Sequence, residues 1–394
     1  MKAGPQMNRL TEAINKAHAF GQTVEEWDAV VGERFAPYVS RKSILSRDRE
    51  SFRSELLNLN DVEAVPKYAD LLRRIVRKYR RNIRADQAAA LRFMANGFEG
   101  TCRADEHWMS LFMTHNPVLQ SSSLYDQVFQ RFGLLESILE GSYKLYLRII
   151  YGFAARDCSG QFPSDVGQRD LGNLLSPIPQ AYTSRAHLLI EDPEHGIQVS
   201  QWRNIAAHKS FTVTSENEVE VTFGRSTLTS KRIDFAALGR VLDWAKHCLA
   251  TVRLANVIAY SEYMPELKRI GLPDVPLRLE SSLVTIYHNL SIVGFECKGY
   301  SEEFDAFVLS VRDRLGRAIR ESAIHASQVL DQISAALADD ATTRHRFKLS
   351  VIRLLDEYGT AVASASIKIE DAVASFQGNL SLKERVERTT FEFS

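Results

Sequence analysis

The sequence predicts a mostly α-helical protein. Apolar residues recur at helical spacing along most of its 394 residues. Period-two patterning is confined to short stretches, and there is no internal repeat, coiled-coil heptad run or low-complexity tract. The length suggests two or three domains. We read these as an N-terminal helical domain over 1–120, a central domain over 121–265 and a mainly helical C-terminal domain with minor β content over 266–394.

Residues 1–120 begin with Leu10, Ala13, Ile14 and Ala17 at helical spacing, and Leu71, Leu72, Ile75, Val76, Tyr79 and Ile83 repeat the pattern. Between 67 and 84 the chain carries Lys67, Arg73, Arg74, Arg77, Lys78, Arg80, Arg81 and Arg84 against one acid, Asp70. This +7 excess in 18 residues suits phosphate binding. Acids elsewhere in the fold could also answer it. Turn formers follow at His115-Asn116-Pro117 and Ser121-Ser122-Ser123. From Leu124 to about Phe153 the pattern is apolar around much of the circumference, which predicts a central buried helix. A Gly- and Pro-containing stretch, 156–170, leads to Leu171-Gly172-Asn173-Leu174-Leu175 and a further helix over 179–191.

The period changes after His208. Phe211–Thr214 and Glu218–Phe223 read as two strands joined by a short connection, a β-hairpin. A helix with Leu238, Val241, Leu242, Ala245 and Leu249 then runs to about Tyr263, where Pro265 is expected to end it. Beyond it, Leu283–Tyr287 and Leu290–Cys297 read as β. Helices are expected from Glu302 through Val308, Val311, Leu315 and Ile319, around Val329 and Ile333, and over 343–357 and 360–376.

Composition excludes several classes. Lys plus Arg and Asp plus Glu are each 49, so the net charge is zero and the chain is not a globally basic nucleic-acid binder. With 45% hydrophobic and 25% charged residues, it is neither disordered nor collagen-like. Cys102, Cys158, Cys248 and Cys297 are far apart, with no C-x-x-C pair, and read as buried thiols of a reducing compartment. No apolar run at the N-terminus or elsewhere suggests a signal peptide or membrane span, so a cytoplasmic location is expected. P-loop, Rossmann, H-E-x-x-H and G-x-S-x-G motifs are missing, and no cofactor or metal is expected.

One segment carries chemistry: Arg203-Asn204-Ile205-Ala206-Ala207-His208. In a helix Asn204 and His208 share a face. Arg203 and His208 are about 140° apart with a rise of about 7.5 Å. They share a site if the arginine wraps round, if the helix frays near His208, or if a second protomer completes the pocket. The trio suits metal-free RNA cleavage. A neutral His208 takes the proton of a ribose 2′-OH, Arg203 neutralises charge developing on the phosphate, and Asn204 orients the imidazole or donates to the phosphate. The products would be a 2′,3′-cyclic phosphate and a 5′-OH. Chance alone supplies about one Arg-x4-His match in this composition, and this chain has a second at Arg320–His325, with Glu321 in place of asparagine. Requiring the asparagine lowers the chance expectation to about 0.03.

These residues resemble the Arg-Asn-x3-His signature of the HEPN superfamily of small helical domains, many of them metal-independent endoribonucleases of bacterial defence and toxin–antitoxin systems. The resemblance takes in the helix 124–153, the segment Asp170-Leu171-Gly172-Asn173-Leu174-Leu175, the hairpin 211–224 and the helix near 235–263, about a third of the chain. It implies a central HEPN-like domain that forms a homodimer, with Arg203 and His208 catalytic and Asn204 supporting. It also implies an assisting acid on the first helix, with Glu136 and Glu140 as candidates. A glycine often follows the histidine in this family. Here Lys209 stands there and could contact phosphate. Arg73, Arg77, Arg80 and Arg81 are candidates for guiding RNA, and an antitoxin or NTPase is a candidate partner. Some HEPN-like domains are instead inert binding or dimerisation modules, including partners of nucleotidyltransferases. In such a module His208 would simply serve the C-terminal end of its helix.

A weaker alternative is a magnesium-dependent nuclease. Pro273-Asp274, followed by Glu296-Cys297-Lys298 after the apolar run 290–295, resembles the PD-(D/E)-x-K pattern, in which two acids hold Mg2+ and the lysine assists.

Overall fold

The computed structural model describes residues 24–114, 123–182, 185–224, 227–273, 275, 278–340 and 342–394. The expected helix at 10–17 and the break at 115–122 lie outside these residues. The fold is mostly α, with about 63% helix and 16% strand. The contacts of the described residues divide them into two compact units, one within 32–48 and 55–273, the other within 24–31, 49–54 and 275–394. The helices of 55–114 therefore share a unit with the segment 123–265 rather than forming one of their own.

In the larger unit the basic helix, Pro66–Ala85, starts with proline at its first turn, where the missing N–H costs nothing. Its Leu71, Leu72, Ile75, Val76, Tyr79 and Ile83 are buried. It packs on the helix Gln87–Thr114 and on a 36-residue helix, Phe235–Ile270. Tyr79 donates to Asn256 Oδ1 at 2.8 Å, and Asn256 Nδ2 donates to the Tyr146 carbonyl at 3.0 Å, so three helices meet at one buried amide.

The long helix does not stop at Pro265. Proline removes the bond to the Ser261 carbonyl four residues back. Arg47 Nη2 takes that carbonyl instead at 2.5 Å, which lets the helix continue to Ile270.

The apolar stretch from Leu124 is three segments rather than one helix. An α-helix Leu124–Glu136 leads into a π-helix Ser137–Tyr143 and then an α-helix Lys144–Ser159. Ser123 caps the first by accepting from the Asp126 N–H. Short helices Leu171–Leu175, Ile178–Tyr182 and His187–Ile190 lead to the motif helix, Val199–His208. After it come strands β1 (Phe211–Ser215), β2 (Glu218–Phe223) and β3 (Thr229–Asp234). β1 and β2 pair antiparallel, with Val213 opposite Val219, and β3 extends them to a three-stranded sheet in the order β1-β2-β3.

The C-terminal unit holds more β structure than its sequence suggests. Strands β4 (Phe295–Glu303), β5 (Ala306–Asp313), β6 (Leu349–Leu355), β7 (Ala361–Lys368) and β8 (Thr390–Phe393) form one sheet in sequence order. β5 and β6 are parallel, with Val308 opposite Val351, and the other neighbours are antiparallel. Leu283–Tyr287 is helical, inside Leu279–Ile292. Where helices are expected through Val308–Val311, over 343–357 and over 360–376, the chain forms strands at Ala306–Asp313, Leu349–Leu355 and Ala361–Lys368, and only Ile369–Phe376 is helical there. In β6, apolar residues at 349, 351, 352, 354 and 355 fit both periods. Pairing decides in favour of the strand, with Ser350, Ile352 and Leu354 buried and the residues between them half-buried. Helices Ile319–Ser327 and Leu330–Asp339 pack on β6.

Candidate active site at the Arg-Asn-x3-His helix

The motif helix is anchored by its apolar stripe. Val199, Trp202, Ile205 and Ala206 are buried. The Trp202 indole donates to Asp192 Oδ2 at 2.9 Å. Asp192, itself buried, also accepts from the N–H groups of Ile197 at 3.0 Å, Glu194 at 3.1 Å and His195 at 2.7 Å. One carboxylate thus shapes the turn before the helix and sets its position. This role was not singled out from sequence, although Asp192-Pro193-Glu194-His195-Gly196 is turn chemistry.

Arg203 and Asn204 are half-buried neighbours. Arg203 Nη1 donates to Asn204 Oδ1 at 3.1 Å. Arg203 Nε lies 3.1 Å from Glu140 Oε2, an ion pair whose angle falls outside hydrogen-bond geometry. Glu140 sits in the π-helix, a form frequent at functional sites, and also pairs with Lys144. Glu136 immediately precedes that π-helix and accepts from Lys209 Nζ at 2.9 Å. Both candidate acids therefore face the motif segment, each on a different cation.

The helix stays regular through His208, so fraying does not bring the imidazole towards Arg203. Lys209 then takes left-handed backbone angles, φ 52° and ψ 39°. The N–H groups of Lys209 and Ser210 both turn back to the Ile205 carbonyl. This termination favours glycine. Lys209 is held in it by its own side chain, which donates to the Ala206 carbonyl at 2.6 Å as well as to Glu136. His208 is exposed and has no hydrogen bond or ion pair among the described residues.

A cleft of about 320 Å³ is lined by Asp170, Leu171, Gly172, Asn173, Ser200, Gln201, Arg203 and Asn204. It joins the leucine–glycine segment to the first two motif residues. Asp170 shapes its rim by accepting from the Asn173 N–H at 2.8 Å. His208 does not line it. Within one chain, the guanidinium and the imidazole therefore address different sides of the helix.

The basic helix is partly spent on structure. Arg80 Nε and Nη2 donate to the buried Glu262 at 2.8 and 2.7 Å, and Arg80 also holds the Tyr38 carbonyl. Lys78 and Arg81 share Asp157, Arg74 pairs with Asp70, and Arg73 lies over the Tyr38 ring at 5.3 Å. Arg77 and Arg84 are exposed and have no ion pair among the described residues. No hydrogen bond or ion pair joins the basic helix to the motif helix among the described residues.

The other sequence candidates are dispersed. His325 Nε2 lies 3.8 Å from Glu321 on the short helix Ile319–Ser327. Glu296 is on β4, where Lys298 at 2.6 Å and Arg312 both neutralise it. Asp274 lies outside the described residues. Among the described residues no group of three or more His, Cys, Asp or Glu could hold a metal ion. Cys248 and Cys297 are buried as expected, but Cys102 is half-buried and Cys158 exposed, and none is in a disulfide. No helix among the described residues is long and apolar enough to cross a membrane.

Comparison with known protein families, curated proteins and solved structures finds no match to this chain.

Chemically, the segment offers an exposed imidazole, a guanidinium with an adjacent amide in a polar cleft, and an ammonium at the helix end. Those are the parts of a general base and an anion-binding group.

Proposed function

We propose that the chain is a metal-independent endoribonuclease of the HEPN type, acting in bacterial defence or as a toxin. His208 would remove the 2′-OH proton, Arg203 would bind the phosphate and offset its developing charge, and Asn204 and Lys209 would support it. The observation that carries this reading is the single short helix that ends on an exposed His208 and presents Arg203 and Asn204 to a polar cleft. Because the two catalytic groups diverge around the helix, a second copy of the chain is the proposed source of the facing half-site.

A second reading has its own support. Glu140 and Glu136 neutralise Arg203 and Lys209, as expected of an inert HEPN-like binding or dimerisation module, with a nucleotidyltransferase or NTPase as its partner.

RNA cleavage in excess EDTA separates the two. Wild type and His208→Ala are compared on total RNA and tRNA, with product ends identified. Cleavage by wild type alone, leaving cyclic phosphates, is the expected result. Silence of wild type with and without magnesium would favour the binding module. Cleavage that needs magnesium and is lost in Glu296→Ala would move the site to the C-terminal unit.

A further inference from the structure

The C-terminal unit contains a groove of about 950 Å³ with no part in the proposed nuclease site. It lies where β5 and β6 begin and β7 ends. Leu337, Phe347, Ile369 and Val373 give it an apolar floor. Its rim carries Arg344, His345, Lys348 and Lys368 against two acids, Asp305 and Glu370. Lys348 Nζ is 3.7 Å from Asp305 and its side chain is 82% exposed. Lys368 has no ion pair among the described residues. Lys368 also stands at the start of the helix Ile369–Phe376, whose N-terminus receives no side-chain cap.

The wall of this groove is rigidly built. Asp340 Oδ1 accepts from the N–H groups of Thr342 and Thr343 at 2.9 and 3.0 Å and from the Thr342 hydroxyl at 2.5 Å. Its Oδ2 accepts from the Leu279 N–H at 3.1 Å. Thr343 Oγ1 donates to the Leu337 carbonyl at 3.0 Å, and Arg344 Nε to the Ala338 carbonyl at 2.8 Å. The loop so fixed holds His345 at φ 68°, a left-handed conformation uncommon for residues other than glycine. Strain kept in place by surrounding bonds is typical of ligand clamps. An apolar floor with a few converging charged groups is the usual make-up of a small-molecule site, and this volume is in the usual range.

We infer that this groove binds a small organic anion with an apolar body, its phosphate or carboxylate held at Lys348, Lys368 and Arg344 and its body laid over Phe347 and Val373. The full chain is titrated with 1-naphthyl phosphate by calorimetry, with inorganic phosphate and 1-naphthol as partial ligands. Saturable binding is expected, with both partial ligands at least about tenfold weaker. The double variant Lys348→Ala/Lys368→Ala should weaken naphthyl phosphate at least about tenfold at an unchanged melting temperature. Val373→Trp, which fills the floor, should weaken it similarly from the apolar side. Absence of saturable binding by wild type would overturn the inference. So would equal affinity in both variants, or inorganic phosphate binding as tightly as the naphthyl ester.

Discussion

Arg203, the motif arginine, lies 3.1 Å through its Nε from Glu140 Oε2, on a π-helical turn more than 60 residues earlier in the chain. A phosphate approaching this guanidinium meets it already partnered. The pair is 23% and 39% exposed, so its strength is that of a screened surface pair, about 1 kcal/mol or less. Glu140→Gln removes the competing charge and keeps the shape. On the proposed RNase reading, KM for RNA should fall by about fivefold, with kcat little changed. Initial rates across RNA concentrations check this. A raised KM would mean that the carboxylate orients the arginine rather than competing for it.

Lys209 links backbone strain to a side-chain pair. A left-handed non-glycine residue costs about 1 kcal/mol, and the Glu136 pair returns a similar amount. Lys209→Gly should therefore unfold within about 1 kcal/mol of wild type. Lys209→Ala keeps the strain and loses the pair, so it should be less stable than Lys209→Gly by about 1 kcal/mol. Urea titration of the three proteins would settle the order, and equal midpoints for the two variants would contradict it.

The arginines of the basic helix should separate into two groups. Arg80→Ala leaves the buried Glu262 carboxylate its hydrogen bonds from Ser40 but removes its counter-charge, and should cost about 3 kcal/mol of stability. The triple variant Arg77→Ala/Arg81→Ala/Arg84→Ala should fold normally. If this face guides RNA, it should also bind RNA more weakly and flatten the slope of log K against log salt by about 2. Filter binding at several salt concentrations reads that slope. An unchanged slope would remove this face from the RNA path.

Burial alone would raise the Asp340 carboxyl above its ordinary 3.8. Hydrogen bonds from Thr342 and from the backbone N–H groups of Leu279, Thr342 and Thr343 outweigh it and hold the pKa lower. A depressed carboxylate adds stability that is present above the unfolded pKa near 4 and lost as pH falls through the folded value. The loop that carries His345 should therefore loosen on acidification below about pH 4, and Asp340→Asn should loosen it already at pH 7. Hydrogen exchange of the 342–346 amides, measured against pH, checks both. Protection that is flat between pH 5 and 3 would contradict the assignment.

Local sequence encodes the mostly α character, the buried stripe of the basic helix, the pairing of β1 with β2 and the short segment with candidate chemistry. Each is encoded locally, in apolar period, capping and turn residues within a few positions of one another. Tertiary structure alone decided the rest. Pro265 sits inside a helix because Arg47, distant in sequence, takes the carbonyl that it frees. The ambiguous apolar runs at 306–313 and 349–355 are strands because each pairs with the other across more than 35 residues. Glu136 and Glu140 acquire different partners only once the π-turn is packed against the motif helix. Arg80 leaves the free basic face because Glu262 is buried beside it. In every case the deciding energy is a contact between residues far apart in the chain, which local patterns do not contain.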